Sequence, residues 1–268
     1  MDLLKRDIAP ILPEAFGLVD EEAARVLRLN LAARKLVDFD GPHGWTLGAV
    51  NTGRLRALPE AAPGVAAGVR VVQPIVELRA PMRLRIADLD TVARGASDPD
   101  LTAVRGAAER IARAEDSAIF RGFEPGGIRG ILPSSPHAPV LVRAAADWPR
   151  AVVHAREQLR AAGISGPYAM ALGPAAFDEL SAASEDGYPI LKRIDGKLIE
   201  GPLVWAPALD ETAVLLSTRG GDFALTVGQD LAVGYDREDE GAVELFITES
   251  FTFRVLEPAA AIELRRER

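Results

Sequence analysis

Gly241-Ala242-Val243-Glu244-Leu245-Phe246-Ile247-Thr248-Glu249-Ser250-Phe251-Thr252-Phe253-Arg254-Val255-Leu256 reads as one long β-strand. Val243, Leu245, Ile247, Phe251, Phe253 and Val255 fall at alternate positions, and a strand sends alternate side chains to one face. Glu249 interrupts that row. A carboxylate taken out of water needs compensation, so it is expected to pair with an arginine or to sit at a bulge. A catalytic acid is the other reading. Just upstream, Phe223–Val227 and Leu231–Tyr235 read as shorter strands, which makes this end of the chain β.

Residues 135–220 alternate helix and strand. Asp147-Trp148-Pro149 opens a helix that closes at Gly163, Pro167–Leu172 suits a buried strand, and Pro174–Ser184 suits a short helix. Leu203–Trp205 and Ala213–Leu216 suit further strands, so the segment reads as a small α/β subdomain. A helix from Asp98-Pro99 to Phe120 carries Leu101, Val104, Ala108, Ile111, Ala118 and Ile119 at helical spacing. Another is expected from Asp20, as N-cap, to Val37, with Asp40-Gly41-Pro42 as its stop. Residues 46–80 mix Gly and Pro with short β-type runs, the signature of a long two-stranded arm. Such an arm is marginal alone in water and is expected to lie against something else, for instance a second subunit.

The chain of 268 residues is 48% hydrophobic and 26% charged, an ordinary globular balance. Its 31 Lys and Arg against 39 Asp and Glu leave a net charge of −8. That balance disfavours a nucleic-acid partner, which calls for clustered cations. The absence of cysteine excludes disulfides, thiolate zinc sites and a cysteine nucleophile, and fits a reducing compartment. Met1–Phe16 lacks the apolar core of a signal peptide, and no apolar run reaches the ~18 residues of a membrane span. A cytoplasmic protein without membrane contact is therefore expected.

The search for catalytic motifs is negative. No two glycines are spaced two apart, which removes the dinucleotide fingerprint, and neither a P-loop nor an HExxH occurs. Gly163-Ile164-Ser165-Gly166 stops short of a nucleophile elbow because Pro167 stands where the second glycine belongs. It reads as a helix cap and turn. His43, His137 and His154 lie far apart in sequence and read as surface or turn residues.

In order along the chain, several segments resemble encapsulin shell proteins of the linocin-like group. They are Met1-Asp2-Leu3-Leu4-Lys5-Arg6, Ala33-Arg34-Lys35-Leu36-Val37-Asp38, Gly41-Pro42-His43-Gly44-Trp45, Ile75-Val76-Glu77-Leu78-Arg79-Ala80 and Glu115-Asp116-Ser117-Ala118-Ile119-Phe120-Arg121-Gly122. The strongest lie later: Arg219-Gly220-Gly221-Asp222-Phe223, Gly228-Gln229-Asp230-Leu231, Gly234-Tyr235 and Leu245–Phe253. The resemblance implies an α+β chain with the HK97 phage-capsid fold. Its parts would be an N-terminal cargo-binding region (1–45), an extended E-loop (46–80), a peripheral domain (81–134 and 221–268) and an axial domain (135–220).

The resemblance also implies function: a homo-oligomeric icosahedral shell in the bacterial cytoplasm. The simplest closed shell, T=1, holds about sixty copies. It would enclose a cargo enzyme, a ferritin-like iron oxidase or a dye-decolourising peroxidase, captured through its C-terminal targeting peptide for iron storage or oxidative-stress defence. The cargo groove would lie between the N-terminal helix, with Leu31, Arg34 and Asp38, and the strands opposite, with Leu231 and Val233. The five-fold pore loop would comprise Ser184, Glu185, Asp186, Gly187 and Tyr188, running on to Pro189. Neither catalytic residues nor a metal site are implied. Some relatives stack a flavin on a Trp at the position of Ala87, and without that aromatic face no cofactor is expected here. Two other readings stand beside the shell: a protease- or bacteriocin-type enzyme, and a prophage major capsid protein.

Overall fold

The computed structural model describes residues 3–185 and 187–267. The first helix is α1 (Pro13–Asn30). Strand β1 (Asp38–Asp40) leads to the hairpin β2 (Ala49–Ala62) and β3 (Val65–Pro74), then to β4 (Val76–Arg85). Helices α2 (Ile86–Ala93), α3 (Thr102–Phe120) and α4 (Ile131–Ser134) follow. The middle of the chain runs through β5 (Val140–Val142), α5 (Trp148–Ala161), β6 (Tyr168–Leu172) and α6 (Pro174–Ala182). A small hairpin, β7 (Ser184–Glu185) and β8 (Tyr188–Pro189), precedes α7 (Ile190–Ile194), β9 (Leu203–Trp205) and β10 (Thr212–Ser217). The chain finishes with β11 (Phe223–Val227), β12 (Ala232–Asp239), β13 (Ala242–Val255) and β14 (Ala261–Arg266).

Two sheets organise the molecule. In the first, β13 lies between β11 and β12, β1 joins β11 in parallel, and β4 also pairs with β13. The second has the order β5-β14-β10-β6-β9. Its strand β14 lies between β10, to which it is antiparallel, and β5, to which it is parallel. Residues 261–266 therefore belong by their hydrogen bonds to the second sheet, although the sequence reading grouped them with the first. The change of sheet between β13 and β14 could not be seen from period alone, because partner choice is a long-range property.

The two cores are bridged by α3 and β13. One apolar cluster takes Val104, Ala107, Ala108, Ile111 and Ala112 of α3 together with Val243, Leu245 and Ile247 of β13. The other takes Ala118, Ile119 and Phe120 of α3 with Phe251 and Phe253 of β13. At the boundary both elements carry buried charge: Glu115 and Asp116 on α3, Glu249 on β13.

The first helix departs from expectation at both ends. It starts at Pro13, which needs no helical N–H partner at a first-turn position, and Phe16, Val19, Ala23, Val26 and Leu27 form its buried stripe. It stops at Asn30 because the Asp116 carboxylate accepts the N–H groups of Ala32 and Ala33 (2.9 and 3.0 Å). The chain then turns through a short 3-10 segment, Ala33–Lys35. Helix α3 begins at Thr102, four residues after Asp98, with the Asp100 carboxylate accepting the Thr102 N–H at 2.9 Å.

The hairpin β2–β3 forms a sheet of its own. Leu55, Leu58, Val65, Val69, Val71 and Val72 along it are all exposed. Its root is tied down where the Gln73 amide donates to the Gly127 carbonyl (2.8 Å) and Ile75 N–H to the Gly48 carbonyl.

Candidate functional site

A groove of about 270 Å³ runs between α1 and β12. Ala23, Ala24 and Leu27 form the helical wall, and Leu231, Val233 and Ile247 form the floor. The two alanines keep the wall shallow. One end is closed by Arg6, whose guanidinium donates to both oxygens of Asp20 (2.6 and 3.2 Å) and lies over the Phe16 ring. The N-terminal segment is fixed beside β12 by the Tyr235 N–H, which donates to the Leu4 carbonyl at 2.8 Å.

Of the five residues expected at a cargo groove, Leu231 and Val233 line this depression. Leu31 caps the end of α1 and is buried in the apolar cluster. Arg34 sits in the 3-10 turn, and Asp38 lies in β1 rather than on a helix. Asp38 accepts the Gly221 N–H at 2.6 Å beside a separate depression. Most of the groove residues that sequence reasoning missed are on α1, with Ile247 on β13 and Arg6 ahead of the helix. The stripe from Phe16 to Leu27 could have revealed those on α1 had the helix been started at Pro13. Nothing local pointed to Arg6.

Arg34 is the centre of a buried charge cluster. Its guanidinium donates to Glu115 (2.6 Å), Asp230 (2.7 Å) and Glu249 (2.9 Å). Glu115 and Glu249 are fully buried, so the expected pairing of Glu249 with an arginine is found. Burial pushes the Glu249 carboxyl well above its usual range, and the neighbouring Glu115 carboxyl, within hydrogen-bonding contact, pushes it further. Burial opposes the charge on Arg34, but the Glu115 hydrogen bond and the surrounding carboxylates outweigh it and raise the guanidinium. Asp116 is pushed up to about 7 by burial, against the two backbone N–H groups that hold it. The Asp230 carboxylate also accepts the Leu231 N–H (2.8 Å), which links the cluster to the groove floor.

At the residues expected to form the pore, Ser184 and Glu185 pair with Pro189 and Tyr188 as a tight hairpin. Gly187 has φ +78°, a conformation that glycine adopts without strain. Tyr188 is exposed, with the Lys197 ammonium 4.9 Å from its ring centroid. Asp186 lies outside the described residues. Ala87 is exposed on α2, and its methyl group offers no stacking face for a flavin ring.

The histidines have separate local partners. His43 meets Asp40, His137 meets the Ala259 carbonyl, and His154 meets Gln158. Among the described residues no helix is long and apolar enough to cross a membrane.

Residues 1–252 match the family described as Linocin_M18, encapsulating protein for peroxidase. The chain is 48% identical to the type 1 encapsulin shell protein of Rhodospirillum rubrum, over 99% of its own length and 97% of that protein. It is 41% identical to the type 1 encapsulin shell protein of Brevibacterium linens, over 98% of this chain and 99% of the relative. Among solved structures it resembles the virus-like particle of Pyrococcus furiosus, with a TM-score of 0.68 at 16% identity, covering 94% of this chain and all of that one. At that identity the likeness concerns the fold, which is HK97-like, α+β, and shared by viral capsids and encapsulins. The relatives' names are those of shell proteins and not of enzymes. The chain belongs to the encapsulin shell-protein family.

Proposed function

We propose that about sixty copies of this chain close into an icosahedral T=1 shell in the cytoplasm. The shell holds its cargo enzyme by seating the cargo's C-terminal targeting peptide in the groove between α1 and β12. A ferritin-like iron oxidase or a dye-decolourising peroxidase fits this role, the latter in keeping with the family's description. The single observation that carries assembly is the arm: a two-stranded ribbon whose apolar side chains are exposed along both strands. Isolated hairpins are marginal in water, and a neighbouring copy would supply the missing surface. The groove supports cargo binding because its walls are small and apolar and one end is closed by a charged pair.

Negative-stain microscopy of the purified chain tests the shell, and closed particles of uniform size are expected. Val233→Asp tests the groove. Placing a carboxylate on its floor costs ~1–3 kcal/mol or more in desolvation, and ~1.4 kcal/mol already weakens binding ten-fold. Shells of the variant should form and purify without co-expressed cargo. Normal loading would remove Val233 from the binding surface.

A further inference from the structure

At the root of the arm a pocket of about 240 Å³ is lined by three arginines, Arg54, Arg129 and Arg254, and by no carboxylate. Among the described residues none of the three forms an ion pair, whereas Arg34, Arg83, Arg113 and Arg219 each meet an acid. In a chain of net charge −8, three unneutralised guanidiniums around one cavity are unusual. Like charges around one cavity repel one another across the pocket.

Two polar groups of the lining are also unsatisfied. Arg254 Nε is buried without a hydrogen-bond partner, and so is the Ser134 hydroxyl, on a residue only 8% exposed. Buried donors without acceptors carry a desolvation penalty that a ligand acceptor would relieve. Arg129 spends one donor on the Pro133 carbonyl (3.0 Å), which holds the side chain in place and leaves its other N–H groups available.

We propose that this pocket binds an oxyanion, a phosphate or carboxylate group, between Arg54, Arg129 and Arg254. The planar guanidinium fork matches two oxygens at once and gives the strong, charge-assisted form of hydrogen bond. The volume is several times that of one water molecule (~30 Å³), so a tetrahedral anion fits. The three arginines come from three segments: β2 in the arm, the loop after α3, and the end of β13. A bound anion would tie them together and set the angle at which the arm leaves the body, beside the Gln73–Gly127 hydrogen bond. The oxyanion has two sources with the same chemistry: free inorganic phosphate, or an acidic side chain of a second copy.

The test uses assembled particles, titrated with inorganic phosphate by calorimetry against chloride at matched ionic strength. A free-phosphate site predicts saturable binding of one phosphate per chain and a melting temperature raised by phosphate beyond chloride. Arg254→Gln and the exposed Arg129→Gln should each weaken phosphate at least ten-fold. A carboxylate from a second copy predicts no phosphate uptake by intact particles. In that case Arg129→Gln or Arg254→Gln lowers particle yield at least ten-fold while the released chain keeps its circular-dichroism spectrum. Phosphate bound equally by wild type and both variants would mark an adventitious ion only and overturn the proposal. So would no uptake together with normal assembly of both variants.

Discussion

Glu249 is fully buried and faces Glu115, and both share the Arg34 guanidinium. Two carboxylates against one cation in a low-dielectric layer favour a retained proton. Glu249 and Asp116 both have raised folded-state pKa values, Asp116 up to about 7, so above the ordinary carboxylate range these two groups hold more protons in the folded chain than in the unfolded one. Stability then falls as pH rises from that range through the folded-state values. At ~1.4 kcal/mol per pKa unit, Asp116 alone contributes a drop of a few kcal/mol. Glu249→Gln imitates the protonated acid, since its amide can donate to Glu115 while its oxygen accepts from Arg34. Melting curves should coincide with wild type near pH 5, and the variant should melt higher near pH 8. A variant melting curve that falls with pH as steeply as wild type would place the proton elsewhere. Removing the cation instead, by Arg34→Ala, strands buried carboxylates and should cost about 3–5 kcal/mol.

Among the elements, the arm was the most legible in sequence. Gly and Pro between short β-type runs announced a hairpin, and β2 and β3 span residues 49–74 inside the expected 46–80. The strands 223–227 and 203–205 fell where the sequence placed them. The end of α1 was not legible, because Arg34, Lys35 and Leu36 continue a good helical pattern. Two hydrogen bonds to Asp116, 84 and 83 residues away, override local propensity there. The candidate groove was half legible: the resemblance points to Leu231 and Val233 on its strand side, while its helix side depends on where α1 begins and ends. If the arm works by lying on a neighbour, deleting residues 54–72 should leave the body folded and abolish closed particles. Size-exclusion chromatography and circular dichroism together check this, and intact particles from the deletion would show that the arm is dispensable.

For the whole molecule, symmetry multiplies small features. If the hairpin at 184–189 rings a five-fold axis, one Glu185 and one Asp186 become a ring of carboxylates that concentrates cations at the opening. Particles carrying Glu185→Gln with Asp186→Asn and a ferroxidase cargo should take up Fe²⁺ several-fold more slowly at low salt. The difference should shrink as added salt shortens the Debye length toward ~3 Å at 1 M. Equal uptake at low salt, with cargo loading matched, would exclude the hairpin as the entry gate. The position of β14 bears on when a protomer becomes competent for any of this. It is an inner strand of the second sheet, and β5 has only β14 as a neighbour. The sheet therefore stays open, with the edge of β10 unpaired, until residues 261–266 have been synthesised. Without residues 261–266 the second core lacks one wall, so a protomer cannot complete its fold before this last strand is in place.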